Sequence, residues 1–167
     1  MGEGRVYLPV TAAMLRLARE DGRFRPPLQG HAVTDELADD LGSADQEELE
    51  YAAMTSAALD ALALLRPDGR PRRLVAAVDV GAWTRVVGPD ADAGTASSAV
   101  EVTVPVPFGR LAAVHADSDD AAPAVRAAVR ALTDGGAEPD TTAAVERCLD
   151  HELGWYAVQE LDSLLGD

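Results

Sequence analysis

The chain of 167 residues and 17.5 kDa fits one domain, 1–167, and none of its apolar runs approaches the ~18–20 residues of a membrane span. Twenty-nine acidic residues against fourteen basic ones leave a net charge of -15, which argues against nucleic acid and anionic membranes as partners. Every basic residue is arginine, so lysine chemistry is excluded, and the single cysteine, Cys148, excludes an internal disulfide or an all-thiolate metal site.

Val6, Leu8 and Val10 alternate with Arg5, Tyr7 and Pro9, the pattern of a half-buried strand that Pro9 places at an edge or at its end. Thr11 caps a predicted short helix over 12–19, and Asp21-Gly22 and Pro26-Pro27 punctuate the loop that follows. Thr34 caps a short helical piece through Leu41, ended by Gly42. Ser43 and Gln46 have capping-box spacing ahead of a helix running to about Leu65, with an apolar stripe of Tyr51, Met54, Ala58, Ala61, Leu62 and Leu65. Leu74 to Val80 reads as a central strand. Residues 81–98, rich in Gly, Ser and Asp, read as a long flexible loop. Val100, Val102, Val104 and Val106 define a third strand, and Leu111 to Ala116 a fourth. Asp117 or Ser118 caps a helix ended by Gly135-Gly136, and a last helix is predicted from Asp140 or Thr141 to about Leu165.

The order of strand, helices, three strands and helices predicts an α+β domain: a two-layer sandwich with one mixed four-stranded sheet, ferredoxin-like in its nearest template. If the last segment is one helix, Leu149, Leu153, Tyr156, Ala157, Leu161 and Leu164 form a sheet-facing stripe. Cys148, His151, Trp155 and Val158 then form a second apolar face. A monomer has no use for two such faces, so the second is expected to join two copies into a homodimer, or to be covered by the 45–65 helix or the 81–98 loop.

Chemical signatures are sparse. Adjacent Asp150, His151 and Glu152 diverge by ~100° per residue on a helix and cannot share one ion, so no metal site and no cofactor is expected. No Gly-x-Ser-x-Gly elbow or phosphate loop is present, and Cys148 among apolar neighbours should be inert. Arg66, Arg70, Arg72 and Arg73 form the one basic cluster, either an anion site or a solvated turn paired with the chain's own acids. Two readings follow. One is a cytoplasmic interaction or ligand-binding module. The other is a small-molecule enzyme or sensor whose pocket draws on His31, His115, Glu47, Glu50 and Tyr51, with a histidine as general base. The cytoplasmic assignment rests on the lone cysteine and on a start, MGEGRVYLPV, without the form of a secretory signal.

Several blocks carry a family resemblance. Arg5-Val6-Tyr7-Leu8-Pro9, His31-Ala32-Val33-Thr34, Glu47-Glu48-Leu49-Glu50-Tyr51-Ala52-Ala53, Ala113-Val114-His115-Ala116-Asp117, His151-Glu152-Leu153-Gly154-Trp155-Tyr156 and Gln159-Glu160-Leu161 together resemble an uncharacterised family of small actinobacterial proteins. The resemblance implies a high-G+C origin, in keeping with the absence of Lys, Ile and Asn. It implies no assigned activity, so no functional residue is carried over from it.

Overall fold

The computed structural model describes residues 1–87 and 96–166. Strand β1 (Gly2–Val10) leads into helix α1 (Ala12–Asp21), whose first turn is capped by Thr11 accepting from the Met14 N–H. Strands β2 (Arg23–Phe24) and β3 (Leu28–Ala32) follow, then helix α2 (Asp35–Leu41), held between a Thr34 cap and Gly42. Helix α3 (Gln46–Leu64) starts at Asp45, which accepts from the Glu48 N–H. Strands β4 (Leu74–Arg85), β5 (Ala99–Val102), β6 (Val106–Pro107) and β7 (Leu111–Ala116) come next, then helices α4 (Ala122–Asp134) and α5 (Glu138–Leu149). Strand β8 (Gly154–Tyr156) and the short helix α6 (Leu161–Leu165) follow them.

The α+β class stands, but the four-stranded mixed sheet and the ferredoxin-like sandwich do not. Six strands lie in the order β1-β3-β5-β4-β7-β8, and β1 also pairs with β4. The pairings β1–β3, β3–β5, β5–β4 and β4–β1 therefore close a four-strand ring, from which β7 and β8 extend. Every described pairing is antiparallel, and β2 with β6 forms a separate ribbon.

Two features make the ring. At 12 residues, β4 is long enough to pair with β1 from Leu74 to Trp83 and to reach β5 at Thr84 and Arg85. Residues 81–85, expected in the loop, are thus strand, and Ser98 is buried; residues 88–95 lie outside the described residues. The second feature is β3, which sequence patterning misses because Gln29-Gly30-His31 has neither β-branched side chains nor alternation. Gly30 is what lets β3 close up on β1: a Cβ there would sit 2.8 Å from the Tyr7 carbonyl oxygen and from side-chain atoms of Val6 and Leu8.

Successive residues of β1 serve opposite sides. Val6, Leu8 and Val10 join Ala76, Val78, Val100, Val102 and Val114 in one core with Leu15 of α1 and Leu161 and Leu164 of α6. Tyr7, Val75 and Ala77 pack on the other side under α2 and α3, against Leu37, Leu49, Ala53 and Ala57. The buried stripe of α3 is alanine-rich, which brings the helix close to the sheet and leaves Tyr51, expected on the apolar side, 52% exposed.

The last segment also departs from expectation. It is not one helix but α5, β8 and α6 in turn. Helix α5 stops at Leu149, five residues before Gly154, and the glycine with the two aromatic residues after it, of high strand propensity, pairs with β7. The two apolar faces drawn on a continuous helix therefore do not exist. Cys148 is fully buried with Leu62, Val125 and Val129, whereas Trp155 is 63% exposed.

Candidate functional site

The register places a row of rings across the face under α3. His31 on β3 stands opposite Tyr7 on β1, the Tyr7 and His115 rings lie 6.1 Å apart, and His115 on β7 stands opposite Trp155 on β8. Residues directly opposite in an antiparallel pair share a face. Arg5, two residues before Tyr7, makes a two-point ion pair with Asp79 at 3.0 and 3.1 Å. Glu50 of α3 adds negative charge beside Arg5 and Tyr7. Tyr51, next in α3, donates to Glu152 at 3.4 Å, three residues before Trp155. Of the five pocket candidates, then, His115, Glu50 and Tyr51 border this aromatic and carboxylate surface, and Glu47 is exposed in the first turn of α3.

Burial raises the Tyr7 phenol above its ordinary range, with Glu50 adding to the shift. Burial first, and the positive charge of Arg5 second, pull the His115 imidazole below its usual 6.5. The unfolded chain therefore protonates this ring at a higher pH than the folded one. The stability from the neutral ring is complete above about pH 6.5 and is lost as pH falls toward the folded pKa. In urea titrations at about pH 7.5 and 5.5, His115→Gln should lose less stability between the two than the unsubstituted chain. An identical drop in both proteins would contradict this.

His31 shares the face but is fully engaged. Its Nδ1 lies 2.8 Å from the Ser98 hydroxyl and its Nε2 2.6 Å from Asp60 of α3. Serine, histidine and aspartate in a line suggest a nucleophilic triad, but the Ser98 side chain is wholly buried, with no access for a substrate. With Thr34 donating to the Ser97 carbonyl at 2.7 Å, the line instead ties β3 and the 97–98 turn to α3. Sequence reading singled out His31 but not Ser98, because only the β3–β5 register brings them together.

The four arginines do not act as one group. Arg73 is buried, its Nε and Nη2 donating to Asp117 at 2.9 and 2.8 Å and Nη2 also to the carbonyls of Cys148 and His151. Asp117, expected as a helix cap, is its wholly buried partner. Arg72 donates to the carbonyls of Asp117 and Leu164 and stacks over Tyr156. Burial pushes the Cys148 thiol up, only partly offset by nearby Arg73, so it is a poor nucleophile. Among the expected interface residues, His151 and Val158 are half-buried and Trp155 alone is well exposed. No group of three or more metal-ligating side chains converges among the described residues, and no helix there is long and apolar enough to cross a membrane.

A family of unknown function, DUF6912, matches residues 4–165. The chain belongs to this family. Membership in DUF6912 spans the fold from β1 to α6 and assigns it no reaction. No curated protein and no solved structure matches the chain.

Proposed function

We propose that this DUF6912 protein is a cytoplasmic interaction module, of actinobacterial type, that forms a homodimer through the β8 edge of its sheet. The observation that carries this reading is Trp155, 63% exposed on the strand that ends the larger sheet. The other end of that sheet is closed by the β1–β4 pairing, so β8 supplies the open row of backbone donors and acceptors. An exposed indole beside an open edge matches the aromatic enrichment of protein interfaces. Half-buried His115 and Leu153 and exposed Tyr51 extend the surface inward. A two-fold axis beside β8 would pair the strand with its own copy, antiparallel, and bring the same patch to both sides of the contact. Cys148, expected in the interface, takes no part because it is wholly buried.

Trp155→Glu places a charge at the centre of the contact at a side chain that is 63% exposed. It is expected to convert the dimer to the single-chain mass in light scattering, with the thermal midpoint of the monomer intact. An unchanged dimer mass would refute the assignment of this edge.

Ligand binding is the second reading, favoured by an apolar cavity of about 350 Å³ lined by Leu8, Met14, Leu17, Phe24, Leu28 and Leu64. None of His31, His115, Glu47 or Glu50 lines that cavity, so it supports a binding role more than the His/Glu/Tyr catalytic one.

A further inference from the structure

A second cavity, of about 420 Å³, lies between α1, the 65–72 turn and α6. Its walls include Leu64, Leu65, Leu74, Leu164 and Leu165, and four arginines border it: Arg16, Arg66, Arg70 and Arg72. Among the described residues no acidic side chain lines it. In a chain with 29 acidic residues and only 14 basic ones, four arginines around one cavity, with no carboxylate side chain among its described lining residues, depart sharply from the mean charge.

The four differ in freedom. Arg72 is locked by its hydrogen bonds to the Asp117 and Leu164 carbonyls and by its stack on Tyr156, and Arg16 donates to the Leu165 carbonyl. Arg66 faces only Asp68, at 3.7 Å with both side chains 84% exposed, a weak solvated pair. The Arg70 carbonyl accepts from the Arg72 N–H, but its guanidinium has no hydrogen bond or ion pair among the described residues, and its Nη1 lies 3.3 Å from where a side chain on Gly166 would begin, at the end of α6. Two guanidinium groups thus form a fixed wall, and two more stand at the mouth with donors to spare.

We propose that this cavity binds an organic anion, with a doubly charged head such as a phosphate ester held by Arg66 and Arg70 and an apolar body against the leucines. Guanidinium forks match such a head in geometry and charge. The leucine walls exclude a bare inorganic ion as the preferred occupant, because it would leave them facing water.

Isothermal titration of the full chain with 1-naphthyl phosphate, inorganic phosphate and 1-naphthol tests each part. The ester is expected to bind at least about tenfold more tightly than either fragment, and Arg70→Glu to weaken it by about tenfold or more. Arg70 is exposed and takes no part in the core, so Arg70→Glu should melt at the temperature of the unsubstituted chain. Binding of naphthol or of phosphate as tight as that of the ester, an unchanged affinity in Arg70→Glu, or no heat from the ester would each overturn the proposal. None of these outcomes depends on the dimer.

Discussion

Asp117→Ala is expected to destabilise the protein by about 3–5 kcal/mol, read as a shift in the urea midpoint at constant slope. Arg73, 1% exposed, has no other anion within the hydrogen bonds that hold it, and a guanidinium cannot neutralise itself by losing a proton. Burial by itself would lower its pKa; the hydrogen bonds to Asp117 and that residue's charge outweigh the effect and hold it above the ordinary value. Removing the carboxylate leaves a buried charge with only the Cys148 and His151 carbonyls as partners. The damage would spread, because the Asp117 carboxylate also accepts from the Arg73 N–H at 2.8 Å, joining the start of β4 to the end of β7 and the end of α5. Asp117→Ala combined with Arg73→Met should recover much of the loss, since a buried pair is seldom more stable than apolar packing of similar volume. A single variant as stable as the parent would show that the pair lies open to water.

Gly30→Ala is expected to cost about 1–3 kcal/mol through overpacking alone. The added methyl would stand 2.8 Å from the Tyr7 carbonyl oxygen, a distance that real Cβ contacts essentially never show. Side chains of Val6 and Leu8 could rotate, but the Tyr7 backbone is held on both sides, by His31 of β3 and Ala77 of β4. The strands of the ring must therefore separate locally. Gly81→Ala is the control: it is exposed in β4 with nothing within 4 Å of its Cβ position, and a change within about 0.5 kcal/mol is expected. Equal stability of the two variants would contradict the close β1–β3 approach.

Local signals in the sequence proved dependable where one element decides its own conformation. Thr11 and Thr34 cap their helices as their side chains dictate, and apolar patterning marks β1, the first half of β4 and β7, whereas the valine alternation of 100–106 is split between β5 and β6 with Val104 53% exposed between them. What required pairing over long sequence separations was not legible. The strand at 28–32 exists because β1 and β5 flank it, and the ring exists because β4 outruns its valine run. Arg73 looked like any other member of a basic turn, since its burial depends on Asp117, 44 residues away. Trp155 was expected on a second, covered apolar face of a helix, and it lies instead on a strand edge, 63% exposed. Glu50, Tyr51 and His115 came from a search for a catalytic pocket and lie together for another reason: α3 crosses the face on which β1, β7 and β8 present their alternate residues.

Sedimentation equilibrium of the unsubstituted chain over a wide concentration range tests the central claim, that the β8 edge joins two copies, most directly. The account predicts a mass approaching twice the chain's 17.5 kDa as concentration rises, lost when Trp155 is replaced by Glu. A mass of one chain at every concentration would contradict it.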